Sequence, residues 1–88
     1  VAILCVHGPL KKLAGGSAEH RLDGETVCAL LRALEAAHPQ LAGWVLDERR
    51  LIRRHINVYV NGELGAEDTP VGVSDRVEVL PAISGGGG

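Results

Sequence analysis

Residues 74–88 read Ser74-Asp75-Arg76-Val77-Glu78-Val79-Leu80-Pro81-Ala82-Ile83-Ser84-Gly85-Gly86-Gly87-Gly88. The stretch holds a turn signal at Ser74-Asp75, a strand pattern over Arg76–Leu80, a proline, and a glycine run. Glycine lacks a Cβ, so the run adopts almost any backbone angle and can pass through a channel too narrow for other residues. At ~3.3–3.6 Å per residue, the last five residues could carry a terminal carboxylate roughly 17 Å from the folded body. Such an end is either an inert flexible segment, as chain ends commonly are, or a tether that presents its carboxylate to another protein's active site. The body of the chain has to decide between the two.

Working outward, Val1–Val6 (VAILCV) is almost unbroken aliphatic, the pattern of a strand buried on both faces and therefore central in its sheet. Its burial pattern suggests that it pairs in parallel with Arg76–Leu80, which would put the tail at the middle of the sheet's edge. His7-Gly8-Pro9 ends the strand, and Leu10–Gly16 (LKKLAGG) is expected to be a basic loop. Ser17–Leu22 is polar and short, an antiparallel edge strand, and Asp23-Gly24 is a turn. A helix is expected from about Thr26 to His38. Thr26 is its N-cap, Val27, Leu30, Leu31 and Leu34 form an apolar stripe extended by Ala37, Arg32 and Glu35 face away, and Pro39 stops it.

Gln40–Glu48 is an irregular link in which Trp44 is expected to cover an end of the core, with a partner anchor as the alternative. Arg49–Arg54 (RRLIRR) is a solvated edge that blocks unwanted strand pairing, or a surface for an acidic partner or a phosphate. His55–Val60 (HINVYV) alternates as a strand, Asn61-Gly62 turns it, and Glu63–Asp75 is mostly loop. Strand, strand, helix, strand, strand makes an α+β domain with one helix packed on one face of a sheet.

Composition narrows the function. A chain of 88 residues makes one domain with a small core and little room for a deep substrate pocket. With no Phe or Met, one Trp and one Tyr, that core is aliphatic. A net charge of −2 supplies no overall basic field for nucleic acid. No signal peptide or membrane-length apolar run is present, so the cytoplasm is the expected location. Cys5 and Cys28 lack metal-ligand spacing; Cys5 is expected to be buried and inert, Cys28 a small packing residue. His7, His20, His38 and His55 fall in separate segments with no shared motif, and no metal site is expected.

Several pieces in order resemble the ubiquitin-like β-grasp sulfur carriers of the MoaD/ThiS family, which include the small subunit of molybdopterin synthase and the carriers of thiazole, cysteine and thio-metabolite biosynthesis. They are Gly8-Pro9-Leu10 with its basic loop, Asp23-Gly24-Glu25-Thr26-Val27, His38-Pro39, Asn57-Val58-Tyr59-Val60-Asn61-Gly62, Asp68-Thr69-Pro70, and Ser74–Pro81 running into the glycines. The resemblance implies a β-grasp domain over residues 1–83, with a mixed sheet of four to five strands, and a flexible tail over 84–88.

It also implies the chemistry. An E1-like enzyme uses ATP and magnesium to adenylate the terminal glycine, and a sulfur donor or sulfurtransferase displaces AMP. The resulting thiocarboxylate delivers sulfur to an acceptor synthase subunit, with molybdopterin synthesis favoured and cysteine or another thio-metabolite close behind. The carrier is not itself an enzyme and binds no cofactor. Family members end in two glycines; here that pair resembles Gly85-Gly86, leaving Gly87 and Gly88 as a natural extension, an addition, or a precursor end removed by a processing protease. The reactive carboxylate is then Gly86 if trimmed and Gly88 if not. Partner-binding positions carried over from the family are Val60, Leu80, Pro81, Ile83 and Ser84, with ordinary core as the plainer reading of Val60. The alternatives are a ubiquitin-like modifier that forms isopeptide bonds through the same tail, and an interaction domain whose tail is inert.

Overall fold

The computed structural model describes residues 2–81. Eight elements follow in order: β1 (Ala2–Val6), α1 (Pro9–Leu13), β2 (Glu19–Leu22), α2 (Val27–Ala37), a single 3-10 turn (Pro39–Leu41), β3 (Ile56–Val60), β4 (Glu63–Leu64) and β5 (Arg76–Pro81). The strands form one mixed sheet in the order β2-β1-β5-β3-β4. β5 is central. It runs parallel to β1, with Leu4 opposite Val77 and Val6 opposite Val79, and antiparallel to β3, with Val58 opposite Val79. The pairing of first and last strands suggested by their apolar content is therefore present, and β2 is the expected antiparallel edge.

Strand alternation divides the sheet into two faces. Leu4, Val6, Ile56, Val58, Val77 and Val79 point to the helix side and are buried with Val27, Leu30, Leu31 and Leu34 of α2. Burying each such side chain is worth ~1.5–3 kcal/mol before entropy is counted. Thr26 caps α2 as expected: its hydroxyl accepts from the Ala29 N–H at 3.2 Å. At the other end the His38 N–H donates to the Leu34 carbonyl at 2.8 Å, and Pro39 starts the 3-10 turn.

Five expectations are corrected. The basic loop is a short helix, α1, with Pro9 at its first turn, and Leu10 and Ala14 in the core. Glu63–Asp75 is mostly loop as expected, but its first two residues, Glu63–Leu64, form an edge strand that the sequence did not disclose. The link after α2 supplies core: Leu41, Val45 and Leu46 are buried, whereas Trp44 remains 50% exposed and covers little. In α2, Ala37 is exposed and adds nothing to the stripe, and Glu35 is half-buried where it was expected to face away. Finally, the arginine-rich stretch is not a sheet edge. It lies in the connection before β3, bridged at Leu46 to Ile52 and held by the Asp47 carboxylate, which accepts from the Arg49 and Leu51 N–H groups at 2.8 and 3.0 Å.

Candidate functional site at the tail exit

The chain leaves the sheet at Pro81, the last residue of β5, directly opposite Ile56 at the start of β3. Two features of the sequence build this exit. Gly8 follows β1 with φ 66° and ψ −145° and caps α1. A Cβ at Gly8 would lie 3.2 Å from Cγ of Pro81, so the missing side chain lets the β1–α1 turn close against the end of β5. The His7 N–H donates to the Val79 carbonyl at 3.1 Å, which carries the β1–β5 ladder up to that turn. On the other flank, the Ile56 N–H donates to the Arg53 carbonyl at 3.0 Å and fixes the entry to β3.

The face away from α2 presents Ile3, Cys5, Asn57, Tyr59, Glu78 and Leu80, as the registers require. The structure therefore separates two positions that the resemblance grouped on one surface. Leu80 lies on the open face opposite Asn57 and is half-buried. Val60 lies opposite Val77, on the helix side, packed against the core. Its placement follows the plainer reading, since Ile56, Val58 and Val60 share one face by alternation. Pro81 stands at the exit; Ile83, Ser84, Gly85, Gly86, Gly87 and Gly88, and with them the boundary at 83/84, lie outside the described residues.

Among the described residues, the titratable groups near the exit do not form a catalytic constellation. Cys5 is 3% exposed, and burial pushes its thiol up, with Arg76 pulling it partly back. A thiol held that way is a poor nucleophile. His7 Nε2 lies 3.3 Å from a Glu78 carboxylate oxygen, an ion pair only when the ring is protonated. Cys5 and Cys28 are both free thiols. The rings of His20 and His38, read as unrelated from sequence, meet edge-on with centroids 4.9 Å apart. Among the described residues no three metal-ligating side chains come together, and no helix is long and apolar enough to cross a membrane. Sequence reasoning missed the contact of Gly8 with Pro81.

The ThiS family matches residues 5–86, nearly the whole chain. The chain belongs to the ThiS family. Two curated relatives extend this. The sulfur carrier protein CysO of Mycobacterium tuberculosis is 30% identical over 83 residues, spanning 88% of this chain and 89% of that protein. The small archaeal modifier protein 1 of Haloferax volcanii is 38% identical over 66 residues, spanning 74% of this chain and 76% of that protein. Among solved structures, a chain of the Amycolatopsis orientalis BexX/CysO complex superposes with a TM-score of 0.87 at 27% identity, covering 97% of this chain and 99% of that one. The fold of this ThiS-family chain is thus the ubiquitin-like β-grasp, and its relatives are small sulfur carriers and ubiquitin-like modifiers.

Proposed function

We propose that this chain is a sulfur carrier that works through its C-terminal glycine. A carboxylate is a poor electrophile, because its charge and resonance repel nucleophiles. An adenylating partner with ATP and magnesium joins the terminal carboxylate to AMP and releases pyrophosphate. Sulfide then attacks the acyl carbon, the acyl–AMP bond breaks with AMP as leaving group, and the chain ends in a thiocarboxylate; a persulfide donor would instead form an acyl disulfide that a thiol reductant must cleave. The sulfur passes to an acceptor enzyme that forms a C–S bond. The observation that carries this is the exit geometry. The glycine run begins four residues after the central strand ends at Pro81, so the sheet holds the root of a short segment whose glycines would thread a partner's cleft. The family match ends at Gly86, which supports Gly85-Gly86 as the working pair. A mature end at Gly88 remains the alternative, with a processing protease deciding between them.

With cysteine or another thio-metabolite close behind, the sequence resemblance favours molybdopterin synthesis. Neither curated relative described above carries that name, and the acceptor is proposed here only as a C–S bond-forming enzyme. The second reading is protein modification, favoured by the match to the archaeal modifier. There a lysine amine would attack the same acyl-adenylate. Intact mass of the protein taken from its own cells tests the first reading. A species with one sulfur in place of one oxygen at a glycine end supports it, and also gives the mature terminus. Only free acid, even after incubation with ATP, a sulfide source and the host's adenylating enzyme, would sink it. Recovery of the chain on lysines of other proteins would favour the second.

A further inference from the structure

The net charge of −2 conceals a strong polarity. The registers define two ends of the sheet. Val6 opposite Val79 and Ile56 opposite Pro81 mark the exit end; Ile3 opposite Arg76 and Val60 opposite Val77 mark the far end. Of the 11 acidic residues, Asp23, Glu25, Glu63, Glu67, Asp68 and Asp75 lie in the turns and the edge strand at the far end. The exit end carries both lysines, Lys11 and Lys12 of α1, and on the other flank Arg54 with His55, just ahead of Ile56. α1 packs against β5, and its cap Gly8 abuts Pro81, so the lysines stand beside the exit. Lys11, Lys12 and Arg54 are exposed, and none is paired with an acid among the described residues. The exceptions are Glu19 and Glu78 toward the exit end, 3.9 Å from Arg76 and 3.3 Å from His7, and Arg21 and Arg76 toward the far end; the remaining acids and arginines lie in α2 and in the connection before β3.

We propose that Lys11, Lys12 and Arg54 form a basic collar around the tail exit that docks on an acidic surface surrounding the catalytic cleft of the adenylating partner. The inference rests on the carrier reading. A body acidic at one end and basic at the other aligns in an oppositely charged field, so it approaches such a partner tail first. The collar meets protein and not nucleotide, for a reason of distance. Five to seven residues separate Pro81 from the reacting carboxylate, or ~17–25 Å at full extension. In physiological salt, exposed charges farther apart than ~8 Å are largely screened from one another. Charges on the body therefore feel the rim of the cleft, while the ATP phosphates at its bottom lie beyond their range.

The test is chain-dependent ATP–pyrophosphate exchange by the host's adenylating enzyme, measured for three full-length proteins. They are the wild type, an exit-end reversal (Lys11→Glu, Lys12→Glu, Arg54→Glu) and a far-end reversal (Glu25→Lys, Glu63→Lys, Asp68→Lys). The exit-end reversal is expected to raise the KM for the carrier on the order of tenfold, with kcat unchanged, and to flatten its salt dependence. The far-end reversal should leave KM the same or lower it. A neutral set (Lys11→Gln, Lys12→Gln, Arg54→Gln) should show the same ordering more weakly, and it replaces the reversal if thermal melting shows that one misfolded. An unchanged KM for the exit-end variants, or equal effects at both ends, overturns the collar. A change in the KM for ATP instead of the carrier overturns the choice of a protein surface and points to the nucleotide phosphates. If the wild type itself supports no exchange, the carrier reading fails and the collar with it, a result visible before any variant is compared.

Discussion

Gly8→Ala should cost the fold ~2–3 kcal/mol, from backbone strain together with a tight contact. The first part is the backbone. Gly8 sits at φ 66° and ψ −145°, close to the mirror image of the extended region, where L-residues are strained by about 1–3 kcal/mol. The second is the Cβ, which would meet Cγ of Pro81 at 3.2 Å, inside the ~3.5–4.0 Å of an optimal carbon contact. Since the ring belongs to the last residue of the central strand, it yields by changing its pucker or by shifting β5. For a domain this small the loss lowers Tm by roughly 10–20 °C. Urea unfolding followed by circular dichroism measures it, with the midpoint moving and the slope unchanged. Two controls separate the causes. Gly16→Ala, at φ 83° with nothing within 4 Å, should show backbone strain alone. A chemically synthesised chain with D-alanine at position 8 should recover most of the loss, because a D-residue favours these angles. An L-alanine variant within ~0.5 kcal/mol of wild type, the scatter of ordinary surface changes, would refute the reasoning, as would a D-alanine chain no more stable than the L form.

Thr26→Ala removes the hydroxyl that accepts from Ala29 and should destabilise by ~1 kcal/mol, with Thr26→Ser near wild type in the same unfolding assay. Glu35 and Asp75 should respond to pH with opposite signs. Burial pushes the Glu35 carboxyl up, only partly offset by the Leu46 N–H and the Arg50 charge, so its folded form favours the proton. Its contribution is most favourable below the unfolded value of ~4.3 and is lost as pH rises through the folded value. Glu35→Gln should therefore raise Tm at pH 7 and lose that advantage in acid. The N–H of Gly72 at 2.7 Å, and then the Asn61 amide at 2.8 Å, hold Asp75 below the usual carboxylate range. Its contribution is full above the unfolded value of ~3.9 and is lost as pH falls through the lower folded value. Asp75→Asn should lower Tm at pH 7 and flatten the acid limb of the Tm profile; an unaltered acid limb would show that Asp75 does not bind its proton more weakly when folded.

What the sequence disclosed was whatever depends on periodicity over many residues. Val27, Leu30, Leu31 and Leu34 repeat with a helical period behind a Thr cap, and all four are buried. VAILCV is the most apolar strand segment, RVEVL holds Val77, Val79 and Leu80, and the two lie side by side. What it hid was short or decided by tertiary packing. A helix of five residues cannot display a period, so Pro9–Leu13 resembled a loop. β4 spans two residues and exists because β3 lies beside it. Leu41, Val45 and Leu46 have no pattern among themselves, and their burial comes from lying against α2 and the sheet's core. The site divides likewise. Leu80 breaks the alternation of Val77 and Val79 and does face away from them, while the stacking of Gly8 on Pro81 joins residues 73 positions apart and has no local signature.

The place of β5 also sets a timetable. A ribosome makes β1 first and β5 after every other strand, yet β5 is the neighbour that β1 and β3 share. Until residue 81 has emerged, the sheet is two separate hairpin-like pieces with a gap between them, and neither can close the core over α2. The decisive contacts join the two extremes of the chain, the kind of pairing that folds slowly and all at once. The strand that completes the fold is the one that roots the tail. On the proposed carrier reading, a molecule whose β5 has not yet docked has no ordered platform from which to offer its glycines, and an activating partner that grips the body as well as the tail would select folded molecules without a separate inspection step.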